Sequence, residues 1–357
     1  MKALEVRAGP RARLWLRERG LRPHDVGVIP GAAGGPKGLV LNPLDRFLFG
    51  SWLASAPQTL HLVGASIGAW RMACACLPDA ASALAQMAED YITQRYDHAP
   101  GRPPTPQTVS AAFGRKLDER LMPRAAQILS HPTRRLHVVT SRGRRLLARE
   151  GPWRTPAGYA AAYVANAVRR QALGAWIERV VFSDPRDPMP LPLDDFRTRQ
   201  VALREVNLGT AVLASCSIPF WLRAVSGIPG APPGAYWDGG ITDYHLHLRY
   251  SAMQEGLVLY PHFQPTVVPG WLDKAWRGRH RATAALDNVV LLSPSPHWIA
   301  TLPGGKLPDR SDFKAWGDDI DGRQAQWRRA LAESERLADE FARLVEGAAP
   351  VHAQALE

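Results

Sequence analysis

Cysteine is scarce in this 357-residue chain: Cys74, Cys76 and Cys216 are the only three. Three thiols cannot build a disulfide framework, and Cys-Ala-Cys has the spacing of neither a zinc knuckle nor a redox pair. A reducing, cytoplasmic compartment is the simpler expectation. Long hydrophobic runs are also missing. The longest nearly apolar stretch, 210–222, is too short to span a bilayer and contains Pro219. The first twenty residues carry Arg7, Arg11, Arg13, Arg17 and Arg19 and no apolar run long enough for a secretory leader. Lysine is rare, with six residues against 38 arginines.

What is present is a globular composition, 46% hydrophobic and 22% charged, with a formal net charge of +11. A strongly basic chain suits an anionic partner: nucleic acid, a phospholipid surface or an acidic substrate. Arg, Ala, Pro and Gly are all abundant, so base composition is an equal account of the charge. No recognised nucleic-acid motif appears, and nucleic acid is not an expected partner.

Short apolar, β-branched runs predict strands at 25–29, 61–66, 134–141, 178–184, 256–261 and 288–294. Helical spacing of apolar residues predicts helices over 38–53, 67–77, 79–96, 155–175 and 207–216, with a Pro-rich loop at 98–106. The tail over 318–346 reads as one long, charge-laced amphipathic helix. Strand, glycine loop, helix, strand, tight turn, helix is the rhythm of an α/β fold with a mostly parallel sheet. The economical division is a domain over 1–310 and a helical extension over 311–357.

Residues 31–39, GAAGGPKGL, bring four glycines around one cation, Lys37. Such a loop lets backbone N–H groups approach a negative charge. A phosphate loop would need a second Gly where Pro36 stands and a hydroxyl where Gly38 stands. Pro has no N–H to give and Gly has no hydroxyl for Mg²⁺. These two positions argue against a nucleotide and favour the oxyanion of a reacting ester.

GASIG, residues 64–68, matches G-x-S-x-G between a predicted strand and a helix. This context holds a serine in a strained turn at a helix N-terminus, and Gly64 and Gly68 keep its surroundings small. Ser66 is the candidate nucleophile; a capping serine in a tight turn is the plain alternative. A serine needs a base. Downstream histidines His245, His247, His262, His280 and His297 cannot be ranked from sequence. Asp238, in AYWDGGITDYH, precedes Gly239 and Gly240, which relieve backbone crowding and let the carboxylate project into a close-packed site.

Together these residues resemble the patatin-like phospholipase family: AAGGPKG (32–38), GASIG (64–68) and DGG (238–240) occur in the family's order, and AVLASCSIPFWL (211–222) looks like the small-residue helix ahead of its aspartate. The resemblance covers about residues 25–260, with weaker support to 294. It implies a three-layer α/β fold with helices on both faces of the sheet, a Ser66–Asp238 dyad without histidine, and no metal or cofactor. It also implies an oxyanion hole formed by the N–H groups of Gly34 and Gly35, with Lys37, Gly38, Gly64, Gly68, Gly239 and Gly240 supporting the loops. The substrate implied is a lipid acyl ester, a phospholipid or lysophospholipid; a thioester or simple carboxylic ester fits the same dyad. The family's Asp-Gly-Gly-Gly-x-Arg-Gly becomes Ala32, Ala33, Gly34, Gly35, Pro36, Lys37, Gly38 here. The lost acidic residue and glycine make a catalytically weak lipid-binding scaffold the reading from another class. Two basic stretches, 133–149 and 270–281 (the latter with Trp271 and Trp276), suit an anionic membrane surface, with a solvated strand pair and a surface loop as the plain alternatives.

Overall fold

A computed structural model describes residues 2–97, 103–346 and 349–357. Among these, ten strands form one sheet: β1 (Leu4–Ala8), β2 (Val26–Gly31), β3 (Leu60–Ala65), β4 (Arg134–Gly143), β5 (Ile177–Ser183), β6 (Thr198–Ala202), β7 (Tyr236–Trp237), β8 (Leu257–Pro261), β9 (Val289–Pro294) and β10 (Gln354–Ala355). The order is β10-β1-β9-β8-β2-β3-β4-β5-β6, with β7 pairing to β4. The block β9-β8-β2-β3-β4 is parallel throughout, while β1 and β5 run antiparallel to their inner neighbours. The fold is therefore mixed α/β, a large, mostly parallel sheet flanked by helices with further helices at the C-terminal end.

The strands expected from apolar runs all form, because strands covered on both faces read as continuous hydrophobic segments. β1, β6, β7 and β10 carry no such signal. LEVRA and TRQVA alternate with Arg, β6 is a half-exposed edge, and β7 and β10 have two residues each. The expected Pro-rich loop begins at 98–102, outside the described residues; Pro106 already opens the helix Pro106–Leu121. The segment 38–53 is helical but mixed: a 3₁₀ stretch Gly35–Leu41, an α-helix Asn42–Phe47 and a wider π-turn Leu48–Trp52.

The tail is two helices rather than one, Ile320–Glu333 and Glu335–Val345. Ser334 breaks them: its hydroxyl donates back to the Ala330 carbonyl at 2.6 Å, a local bond that competes with the helix ladder. The second helix buries Leu337 and Phe341, with Phe341 edge-on to Phe47 and Trp52. The Glu340 carboxylate accepts the N–H groups of Ala3 and Leu4, and β10 then pairs beside β1.

The β4 part of the basic stretch 133–149 does not face outward. β4 lies inside the sheet, Arg134 and Arg135 are buried, Arg134 donates to the Phe49 carbonyl at 2.7 Å, and Arg142 pairs with Glu178 at 2.7 Å. The arginines of β4 are spent on internal acceptors, which the charge pattern alone did not reveal, whereas Arg145 and Arg149 beyond it are exposed. In 270–281, Trp276, Arg277 and Arg281 are exposed, whereas Arg279 is held by Asp273 at 2.8 Å.

Candidate active site

In open α/β sheets, ligands meet the carboxyl ends of the parallel strands. The site stands there. β2 ends at Gly31 and runs into the glycine loop; β3 ends at Ala65, and Ser66 follows directly, ahead of the helix Ile67–Ala75. The site's third element comes from β7, whose pairing with β4 delivers Asp238 next to Val139 and Ser141.

Ser66 has φ 56° and ψ −131°, a sparsely populated conformation for a residue with a Cβ and one that costs about 1–3 kcal/mol. It is held there by packing. A Cβ added at Gly68 would lie 1.8 Å from the Gly31 carbonyl oxygen, and one at Gly64 would lie 2.4 Å from the Ala69 Cα. Only glycine at these two positions lets the helix close onto the end of β2 and β3. Arg71, on the same helix, forks onto the Asp45 carboxylate at 2.8 and 2.9 Å with both groups buried, locking the helix against Asn42–Phe47.

The Ser66 hydroxyl donates to Asp238 Oδ2 at 2.6 Å. The other carboxylate oxygen, Oδ1, accepts the Gly240 N–H at 2.7 Å. Asp238 is only 6% exposed, and burial pushes its carboxyl up to about 6. The Ser66 hydroxyl, the Arg310 charge, the Gly240 N–H and the Lys274 charge act in the opposite direction. The segment after Asp238 is anchored from below, where Arg179 on β5 forks onto Asp243 at 2.6 and 2.7 Å. A Cβ at Gly239 would meet the Val139 carbonyl at 2.1 Å, so this glycine lets the aspartate turn pass over β4.

The helix Glu205–Cys216 joins the Ser66 turn to the Asp238 turn, a link the sequence did not signal beyond its small residues. Ser215 Oγ accepts the Ser66 N–H at 2.9 Å and donates to the Val139 carbonyl at 2.6 Å. The carbonyls of Ser215 and Ser217 accept the N–H groups of Gly239 and Asp238.

The glycine loop lies over this pair. Gly34 lines the same pocket as Ser66 and Asp238, about 230 Å³ in volume. Its place is sterically reserved, since a Cβ would sit 2.3 Å from the Phe263 ring. Ala33 gives its N–H to the Tyr244 carbonyl, but the N–H groups of Gly34 and Gly35 meet no acceptor among the described residues. Of these two, Gly34 lines the pocket with Ser66 and Gly35 does not; an unpaired backbone donor in a serine's pocket is the kind of group that can meet an oxyanion. Gly35 begins the 3₁₀ stretch and packs under Arg310; Gly38 lies in ordinary contact with Ile67; Lys37 lines the pocket with its ammonium 5.7 Å from the Phe263 ring centre. Gly240 is tight against Ala33, where a Cβ would come within 2.7 Å.

None of the five histidines bonds to Ser66 or lines the pocket. His245 and His262 are buried and held neutral by loss of hydration; His245 Nδ1 accepts the Val268 N–H at 2.9 Å. His247 bonds Thr283, His280 bonds the Asp273 carbonyl, and His297 is exposed. Five pocket residues lie outside the glycine-loop, serine, small-residue-helix and aspartate motifs: Trp271, Lys274, Asp309, Arg310 and Ser311. Lys274 belongs to the basic stretch read as membrane-facing; Arg310 had no signal, because the chain approaches the site there from a distant segment. Among the described residues no group of histidine, cysteine or carboxylate side chains is arranged to hold a metal, and no helix is long and apolar enough to cross a membrane.

No family model matches the sequence, and no curated protein matches it. Among solved structures, the chain is similar to VipD from Legionella pneumophila, at 13% identity and a TM-score of 0.37, over 95% of this chain and 70% of that one. It is also similar to human GIVD cytosolic phospholipase A2, at 12% identity and a TM-score of 0.37, over 94% of this chain and 62% of that one.

Proposed function

We propose that the chain is a serine hydrolase of patatin-like type that cleaves acyl esters of lipids through Ser66 and Asp238. The observation that carries the reading is the 2.6 Å bond from a strained, buried serine to a buried carboxylate, in a pocket that also holds the Gly34 donor. Asp238 takes the hydroxyl proton as Ser66 Oγ attacks the acyl carbonyl. The carbonyl oxygen, now an oxyanion, is met by the N–H groups of Gly34 and Gly35 and favoured by the N-terminal end of the helix Ile67–Ala75. Asp238 returns the proton to the leaving alkoxide, and Ser66 keeps the acyl group. Water then attacks that ester, with Asp238 again taking a proton and passing it to Ser66 Oγ.

Aspartate is ordinarily too weak a base for neutral pH. Burial that raises it to about 6 brings it into the range where a general base is most effective. Ala32 and Ala33, which replace the acidic residue and first glycine of the family pattern, are both buried, and Ala33 is tied to Tyr244. Backbone contacts support this loop in place of an acidic side chain.

The pocket's setting supports a lipid surface as the place of action. Phe220 and Trp221, exposed, directly follow the lining residues Ile218 and Pro219, and exposed Trp276 stacks on Tyr163 close in sequence to Lys274. Exposed aromatics with neighbouring arginines suit a membrane–water interface.

The test is labelling of the purified chain with a fluorophosphonate, followed by peptide mapping. Labelling at Ser66 that Ser66→Ala abolishes, together with release of fatty acid from a lysophospholipid, is expected. A folded chain that several such probes leave unlabelled would favour a non-catalytic lipid-binding scaffold.

A further inference from the structure

Three cations line the pocket, from three separate segments: Lys37 on the glycine loop, Lys274 after β8 and Arg310 ahead of the C-terminal helices. None is in an ion pair among the described residues. Lys37 and Lys274 only face the rings of Phe263 and Tyr244, and no hydrogen bond or ion pair engages the Arg310 guanidinium among the described residues. Other arginines of the chain are spent on carboxylates, such as Arg170 and Arg279 on Asp273.

The three lie close enough to feel one another. Arg310 Nε would stand 3.1 Å from a Cβ placed on Gly35, so the guanidinium sits against the glycine loop. Lys274 is exposed as a residue, yet its ammonium lies 4.0 Å from the centre of the Tyr244 ring; lost hydration there, then the Arg310 and Lys37 charges, lower it to about 8. Asp238 supplies one counter-charge, but its oxygens are taken by Ser66 and Gly240. Asp309, the other acidic lining residue, is held by Lys306 at 3.1 Å and by the Ser311 N–H at 2.8 Å. Like charges gathered without counter-charges cost free energy, and an anion placed among them recovers it.

Resting on the hydrolase reading above, we infer that the substrate carries an anionic group beside its scissile ester, a phosphate or carboxylate, received by Lys37, Lys274 and Arg310. A net-anionic lysophospholipid therefore fits better than a choline lipid or a neutral monoacylglycerol. The Tyr244 face, one place where a quaternary ammonium would stack, is already covered by Lys274. A pocket of about 230 Å³ admits an ester with a compact anionic group next to it, so the acyl chain has to leave toward the exposed Phe220 and Trp221.

The test uses the full chain and three substrates with one acyl group: oleoyl-lysophosphatidate, oleoyl-lysophosphatidylcholine and monooleoylglycerol. Wild-type kcat/KM should favour the phosphatidate by roughly tenfold or more, the scale of one lost charged hydrogen bond. Arg310→Ala should erase most of that preference, chiefly through KM, with Arg310→Lys restoring part; Lys274→Ala serves if the arginine variant folds poorly. Inorganic phosphate should compete with the phosphatidate in the wild type and not in Arg310→Ala. Equal rates on the three lipids, or a preference untouched by both variants, overturns the inference. Competition by phosphate with no preference among the lipids also overturns it, because the site would then take a free anion and not a substrate headgroup. Fluorophosphonate labelling of Ser66, read on the same samples, separates the two levels: labelled but indifferent protein loses only this inference, whereas unlabelled, inactive protein loses the hydrolase reading and this one with it.

Discussion

Ser66 and Asp238 lie 172 positions apart in the chain, yet the serine hydroxyl donates to the aspartate across 2.6 Å. Each is set by its own device, the serine by a strained turn between two glycines and the aspartate by a turn that Arg179 and Asp243 hold from beneath. The pair has no histidine within its hydrogen bonds, so in the proposed reaction proton transfer rests on one carboxylate.

Asp238→Asn keeps the shape of that carboxylate and can still accept from Gly240, but it cannot take a proton. We expect kcat to fall by roughly 10²–10⁴, the usual worth of a general base, with KM little changed. Asn or Gln substitution of any single one of the five histidines should leave kcat within a few-fold of wild type. A histidine variant as inactive as Ser66→Ala, yet folded, would falsify the dyad.

The pH–rate profile follows from the same group. The base must be ionised, so kcat/KM should rise as pH passes about 6 and level off above it. On an anionic substrate a fall is expected above about 8, as Lys274 loses its charge. That alkaline limb should disappear on a neutral ester. It should also flatten in Lys274→Arg, whose charge persists.

The raised carboxyl has a stability consequence of opposite sign. Folding binds a proton more tightly to Asp238 than the unfolded chain does. Its contribution is therefore fully favourable below about pH 4 and is lost as pH rises through about 6. At pH 8 the wild type holds a buried charge that Asp238→Asn removes. The variant should be more stable there by up to about 3 kcal/mol, the size of a two-unit shift. The gap should close as pH approaches 4. Denaturant melts at three pH values read this out.

Ser215 is a positioning residue whose loss should be felt at the nucleophile. Ser215→Ala leaves the buried Ser66 N–H without an acceptor, which costs about 1–3 kcal/mol of stability. It also loosens the turn that aims Ser66, so kcat should fall while KM holds. A variant that melts earlier but keeps full kcat would reduce Ser215 to a structural bond.

Asp45→Ala breaks the buried fork to Arg71 and strands a guanidinium in the core. Loss of about 3–5 kcal/mol is expected from urea unfolding, as for other broken buried pairs. Asp45→Asn should cost less, because it retains one acceptor.

Much of this site was legible in one dimension because its parts are local. A serine in a strand-to-helix turn needs small neighbours two residues away, so Gly64, Ser66 and Gly68 occur together. The central strands declare themselves because both their faces are covered. The Asp-Gly-Gly turn carries its glycines beside the acid it frees. The sequence alone thus determined the α/β rhythm, the strained turn at Ser66 and the candidate base.

What no short stretch of sequence contains is who meets whom. The folded chain decided that Asp238, rather than one of five histidines, accepts from Ser66, and that Ser215 bridges Ser66 to β4. It decided that arginines within β4 turn inward to carbonyls and carboxylates, so a basic run became interior structure. It also brought Arg310 from a segment without any motif onto the glycine loop. Such contacts join segments far apart in sequence, and their energies depend on burial and distance, which only the closed tertiary structure fixes.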